Sequence, residues 1–404
     1  MATPVGAGTV QRSKGCRGYS RVMSNARAPN GHRLRSLVRE LPIVLGLLTG
    51  AAVLTHWSPG GDPAGAAGIA WSAWLVVAIT AAAFRAMGHA DHVAEHLGEP
   101  LGTVVLTLSA ITIEVAAVCA IMLGSDGDPD VARDTMFAVI MLILNLFLGI
   151  GLLVAGWRGA EREFNPQSSG AYLPLLITLS GITLVLPRFT TSTPGGWMSA
   201  PMEVFVGVSS LILYAAFLVM QTTRHRAFFA HEPPIADNRG TEAAAHHRPG
   251  TPLWGSIALL VLALLAVVAM AEGLGGRTRA LLDAWYLPLP LGGVLVALLV
   301  LAPEGMAALV AARRGEMQRC INVLLGSAVA TIGLTAPAVI AIRFITGATP
   351  EFGLQPPFLV LLAITFLVSA LTLGRGKVSS LHGAIHVMLF LAWIATILDE
   401  SSSP

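Results

Sequence analysis

Charge is almost absent from a series of long apolar runs, and this pattern constrains the chain more than any motif in it. A membrane-spanning helix needs about 20 mostly apolar residues. Runs near that length occupy residues 41–57, 68–83, 101–123, 135–157, 171–187, 202–221, 253–271, 287–310, 321–342, 357–373 and 381–398. Over the 404 residues, 54% are hydrophobic and 12% charged, against about 25% charged in a soluble protein. The mean hydropathy is +0.70. A soluble enzyme is excluded, because so much apolar surface needs lipid to cover it. A net charge of +2 argues against nucleic acid as a partner, and three cysteines do not make a disulfide framework. The expected fold is an all-α polytopic membrane protein with about 11 transmembrane helices.

Lys and Arg collect in cytoplasmic loops. The first 39 residues hold eight of them and no Asp or Glu, which places the N-terminus inside and, after eleven spans, the C-terminus outside. On that arrangement 20 of the 25 basic residues fall inside. The other five are Arg133, Arg188, Arg277, Arg279 and Arg343. Residues 1–40 read as a disordered basic tail. Its acid-free, Arg-rich character also resembles a transit peptide, and Met23 is an alternative start. Residues 41–67 give an extra first helix and an outer loop, 222–252 a cytoplasmic linker, and 399–404 a short tail.

Self-comparison reveals a repeat. Residues 100–114 read PLGTVVLTLSAITIE and residues 290–304 read PLGGVLVALLVLAPE, with six of fifteen positions identical at an offset of 190. The same offset pairs five helices in 68–221 with five in 253–398. Five is odd, so the second repeat enters the membrane in the opposite direction. Two inverted five-helix repeats with a midplane site are a transporter design.

Glu114 and Glu304 are the acids that fall at depth, each 13 residues after the Leu of its PLG. That is about 20 Å of helix, which from opposite sides brings both within about 5 Å of the midplane. An ionisable residue there is costly, and is by default functional. Two carboxylates are neutralised by one divalent cation or by two protons, and the empty dianion is the costly state. A site that avoids the empty state exchanges cation for protons. Ca²⁺ takes six to eight oxygens, so further donors are needed. Candidates are Thr107, Ser109, Thr112, Asn145, Asn322, Ser327 and Thr331, with carbonyls freed near Gly326 and Pro303. A lone Ser or Thr is more often a packing or backbone-bonding residue, whereas a midspan amide such as Asn145 is costly when unpaired.

The segments GEPLGTVVLTLSAITIEVA (98–116), RDTMFAVIML (133–142) and LVLAPEGMAALVAARRGEMQRCINVLLGSAVATIGLTAP (299–337) resemble signatures of bacterial calcium/proton antiporters of the calcium/cation antiporter superfamily. The resemblance covers roughly residues 40–398. It implies Glu114 and Glu304 as the central cation and proton ligands, with help around Asn145 and the Gly326-Ser327 pair. Relatives of this type often carry an acidic central loop. Here 222–250 holds three acids against four arginines, with His225, His231, His246 and His247.

One further motif lies in GHADHVAEHLGEP, residues 88–100. His89, His92 and His96 share a helical face with Glu95 and Glu99 nearby. His92-Val-Ala-Glu95-His96 matches the H-x-x-E-H metalloprotease pattern. That chemistry needs a third ligand and a sheltered cleft, and Gly98 and Pro100 break the helix at once. An interfacial helix is the simpler reading, with a cytoplasmic cation antechamber or pH sensor as the functional one. His382 and His386 read as packing residues of the last span.

The sequence therefore describes a secondary transporter of the cell membrane rather than an enzyme. It exports Ca²⁺ in exchange for H⁺ and needs no cofactor. Na⁺ or K⁺ in place of Ca²⁺ is the alternative, with an intramembrane zinc protease or a passive channel behind it. Sidedness is directly testable. In a chain whose native cysteines are replaced, a cysteine at Ala244 should react with an impermeant maleimide from the cytoplasmic face only. Labelling from outside would invert the arrangement.

Overall fold

The computed structural model describes residues 30–57, 59, 61–98, 102, 105, 108, 109, 111, 112, 115, 130–157, 162–221, 252–347 and 349–400. Residues 1–40 and 41–404 form separate units. The described part of the first is the opening of α1 (Asn30–Leu54). This helix starts earlier than the apolar run at 41, because the Leu, Arg and Glu residues before it are good helix formers.

α2 (Ala66–Leu97) and α6 (Leu253–Ala284) are 32 residues each and pack along one another. At about 1.5 Å per residue each is roughly 48 Å long, more than a hydrocarbon core requires. The histidine segment is therefore the continuation of α2 beyond the length that a span requires. α3 runs Val131–Gly156 and includes a π turn, Leu142–Phe147. α4 (Pro166–Ser180) continues through a second π turn, Gly181–Val185, and a 3₁₀ turn, Leu186–Phe189. α5 is Ala200–Val219. The expected span 287–310 is not one helix. It is α7 (Pro290–Val300) and α8 (Ala302–Arg313), bent by 60° at Leu301. α9 (Met317–Thr346), α10 (Pro356–Leu373) and α11 (Ser380–Glu400) complete the helices. A two-residue antiparallel pairing of β1 (Arg162–Glu163) with β2 (Lys377–Val378) is a small departure from the all-α expectation.

Among the described residues, eight helices are long and apolar enough to cross a membrane, or nine with the bent pair counted as one span. The region between α2 and α3 contributes the helical residues Gly102, Val105, Leu108, Ser109, Ile111, Thr112 and Val115. The linker 222–251, with its four histidines, lies outside the described residues.

The apolar core falls into two clusters, one centred on α1, α2 and α6 and one on α3, α4, α5 and α8 to α11. α10 shows the lipid solution to amphipathicity. Val360, Leu367 and Leu371 face outward, while Thr365, Ser369 and Thr372 face in. α3 is the most enclosed of the described spanning helices, with 78% of its apolar stretch buried. Its contact with α11 is backbone to backbone. A Cβ on Gly383 would lie 2.6 Å from the Leu153 nitrogen and 2.7 Å from the Gly149 oxygen.

The five arginines expected outside lie at one end. Arg133 pairs with Glu351 at 2.8 Å, and Gly353 packs on the Arg188 backbone. Arg279 lines a cavity with Arg133, Arg277 donates to Ser72 and Gly68, and Arg343 pairs with the buried Glu203. The β1–β2 pairing and the bond from the Asn165 N–H to Gln318 Oε1 (2.7 Å) lie at the other end.

Gly383→Ala should destabilise the protein by about 1–3 kcal/mol through overpacking, against a helix-propensity gain of about 1 kcal/mol from losing glycine. Gly276, whose Cβ would meet open space, is the control, and its Ala variant should be neutral or more stable. Thermal unfolding in detergent separates the two.

Candidate membrane-embedded carboxylate site

Three elements frame the turn of α8 that carries Glu304. The first is the bend at Leu301, which makes Glu304 a first-turn residue of α8. Pro303 sits in the same turn, where a missing N–H costs no helix hydrogen bond. The second is α3. A Cβ on Gly305 would fall 2.4 Å from Phe147 Cε1, so the ring rests directly on the backbone after Glu304. One turn on, Gly151 faces Cys320 of α9 and Ala312 of α8. The third is α9, packed along α8.

Glu304 Oε2 is buried and has no hydrogen-bond partner. A helix N-terminus stabilises a carboxylate by about 0.3–1 kcal/mol, up to about 2 in partly buried geometry. Taking the charge out of water costs several kcal/mol. The dipole alone is insufficient, so the group needs a cation or a proton.

Glu114, Thr107 and Glu99 lie outside the described residues. Ser109 and Thr112, from the same segment, donate to the carbonyls of Val105 and Leu108, each at 2.7 Å. Asn322 accepts from Gln318 Nε2 at 2.9 Å. Thr331 is buried, and Ser327 is half-buried beside Gly326, which approaches the Tyr172 ring.

Asn145 lies in the π turn but on the face turned to α10 and α11. Its Nδ2 donates to Thr365 Oγ1 at 2.9 Å, and its Oδ1 is 3.2 Å from His386 Nδ1. His386 is therefore not a plain packing residue; it belongs to a buried polar network. His382 is not one either, since its Nδ1 lies 3.0 Å from Ser379 Oγ at the start of α11.

At the other end of α2, His89 is buried and its Nε2 is 3.0 Å from Arg85 Nη2. His92 and His96 stack edge to face at 4.5 Å, with Glu95 beside them on the helix. Among the described residues no group of three His, Cys, Asp or Glu is placed to hold a metal ion.

Sequence reasoning missed the ion pairs at the five-arginine end. Arg133 is buried and reaches Asp134 (2.8 Å), Asp130 (3.2 Å) and Glu351 (2.8 Å). Burial raises Glu351 above the usual carboxylate range; Arg133 opposes the shift, Asp130 adds to it, and Arg188 opposes it too. Of these groups, Asp130, Arg133 and Asp134 line a cavity of about 410 Å³ between α3, α6 and α7. A cluster of this kind leaves no local signal, because Glu351 is remote in sequence from the acids it joins.

The sequence matches the sodium/calcium exchanger protein family over residues 67–223 and 255–398. The chain belongs to this family. It is a multi-pass membrane protein and a secondary transporter, not an enzyme. The protein y4hA of Sinorhizobium fredii is 38% identical over 317 residues, 78% of this chain and 85% of that one. The sodium-potassium/proton antiporter ChaA of Escherichia coli is 34% identical over 331 residues, 81% of this chain and 89% of that one. Among solved structures, native YfkE superposes with a TM-score of 0.63 at 16% identity, covering 89% of this chain and 98% of that one. The H⁺/Ca²⁺ exchanger CAX gives 0.57 at 16% identity, with 89% and 91% covered. At such identities these two comparisons speak for the fold.

Arg133→Gln would leave Asp130, Asp134 and Glu351 crowded without their cation, at a cost of about 3–5 kcal/mol. Protonation relieves that repulsion. The loss in thermal stability should therefore be largest near pH 8 and shrink as pH falls toward 5.

Proposed function

We propose that the protein is an antiporter of the cell membrane that exports Ca²⁺ from the cytoplasm in exchange for H⁺. Glu304 and Glu114 bind the cation and protons in turn near the midplane, between two inverted five-helix repeats. The N-terminus is cytoplasmic and the C-terminus external. The observation that carries this reading is the buried, unpartnered Oε2 of Glu304 at the start of α8, just past the bend. Discontinuous helices whose ends meet an ion are the midplane device of inverted-repeat transporters.

The chemistry follows from charge. With a cation bound, the carboxylates are neutralised by the ion. With the cation gone, each takes a proton, and the doubly ionised site is disfavoured. The site crosses between its two accessible sides only when filled by one or the other, which couples the two flows. The remaining oxygens Ca²⁺ needs come from Ser327, Thr331 and Asn322 on α9, from Ser109 and Thr112, and from carbonyls near the bend. Ser109 and Thr112 use their hydroxyl hydrogens on backbone carbonyls, which leaves their oxygen lone pairs available to a cation. The equal length of α2 and α6, the first helices of the two halves, supports the repeat.

Exchange of Na⁺ or K⁺ for H⁺ at the same carboxylates is the second reading. It is favoured by the 34% identity with the sodium-potassium/proton antiporter ChaA. The Ca²⁺/H⁺ antiporter ChaA of Bacillus subtilis, at 22% over 234 residues, stands on the other side.

In proteoliposomes with an imposed pH gradient, the protein should drive ⁴⁵Ca²⁺ flux that collapses when the gradient is dissipated. Glu304→Gln should abolish the flux, and so should Glu114→Gln. Undiminished exchange by either variant would defeat the assignment. Stronger competition by Na⁺ or K⁺ than by Ca²⁺ in the same assay would select the second reading.

A further inference from the structure

His386, in the second turn of α11, is a buried titratable group with no part in the exchange as proposed above. Its Nδ1 is 3.2 Å from Asn145 Oδ1 and its Nε2 is 3.3 Å from Thr372 Oγ1. Asn145 places its Nδ2 on Thr365, which leaves its oxygen toward His386.

The hydrogen positions follow. An amide oxygen only accepts, so Nδ1, which faces Asn145 Oδ1, carries the hydrogen. A second hydrogen on Nε2 would make a buried imidazolium. Among the described residues the ring's hydrogen-bond partners are Asn145 and Thr372, both uncharged, and no carboxylate pairs with it. An uncompensated buried charge costs several kcal/mol. Nε2 therefore accepts from the Thr372 hydroxyl, and the ring is neutral with its hydrogen on Nδ1.

The place of this ring gives it a role. Asn145 lies in the π turn of α3. A π turn breaks the regular ladder of carbonyls, and such turns gather at functional sites. His386 holds the turn from the α11 side. Phe147 ends the same turn, and its ring rests on Gly305, the residue after Glu304.

We propose that His386 is a positioning residue for the carboxylate site. Through its Nδ1 hydrogen it fixes the π turn of α3, and through that turn it fixes Phe147 against the first turn of α8. This rests on the reading that Glu304 binds the transported cation.

The two amide variants separate the ring nitrogens. His386→Asn puts an N–H near the place of Nδ1, and His386→Gln puts one near the place of Nε2. In proteoliposomes, with KM measured for Ca²⁺, Na⁺ and K⁺, His386→Asn should keep KM and the pH profile close to those of the parent. His386→Gln should raise KM by about tenfold or more, the scale of losing a group that orients a metal ligand. Equal loss in both variants, or a changed pH profile in His386→Asn, would overturn the proposal. A second measurement does not depend on recovering the Gln variant. The ¹⁵N-histidine spectrum of the full chain, minus that of His386→Asn, should show one neutral ring protonated on Nδ1. A ring protonated on Nε2, or on both nitrogens, would overturn it equally. Normal exchange by Glu304→Gln in the same assay would instead remove the functional reading. The tautomer would still be decided by the spectrum.

Discussion

In hydrocarbon no water is present to satisfy a polar group, so each buried donor, acceptor and charge must find its partner inside the protein. The rest of this fold can be read from that constraint. α10 turns its hydroxyls inward and its aliphatic residues outward. Asn145 is satisfied by two helices at once, and Arg133 by three carboxylates. Most of the buried side-chain atoms without a hydrogen-bond partner among the described residues are hydroxyls such as Ser369, which are neutral, whereas Glu304 Oε2 belongs to a group that can carry a charge. Leaving a charge in that state costs several kcal/mol, more than the helix dipole returns. On the proposed reading the missing partner is the cargo.

α3 links the polar network to the carboxylate. It is largely buried, and two of its faces do different work. Asn145 and Gly149 meet α11, while Phe147 and Gly151 meet α8 and α9. The π turn lies between these contacts, and close backbone packing on both faces leaves little freedom to absorb a shift. On the proposed reading a displacement on the α11 side is felt at Gly305, because packed interiors transmit strain.

Much of this was legible in the sequence, and the parts that were not share a physical cause. Apolar runs such as 357–373 match helices such as Pro356–Leu373 almost to the residue, since burial in lipid is decided by local composition. The five arginines assigned outside do cluster at one end. Glu304 was visible because so little charge surrounds it. The 60° bend was only hinted at by Pro303, and the π turn of α3 left no signal, because both depend on packing against other helices. The pairings of Arg133 with Glu351 and of Asn145 with His386 join residues more than two hundred positions apart. A single sequence carries no record of such contacts. His386 was read as packing because a histidine on an apolar helix looks the same whether or not an amide faces it.

The choice of cargo follows a similar logic. A sodium-potassium/proton antiporter and Ca²⁺/H⁺ antiporters are both related to this chain. A carboxylate attracts all these ions, so it cannot by itself separate them. Ca²⁺ needs six to eight oxygens at 2.3–2.6 Å, and the count available depends on how closely α9 and the helix bearing Ser109 and Thr112 approach the bend. On the proposed reading Glu304 sets the coupling between cation and proton, while the spacing held by Phe147, Gly305 and the π turn sets which cation fits. Selectivity could then change through packing residues alone, with both glutamates retained.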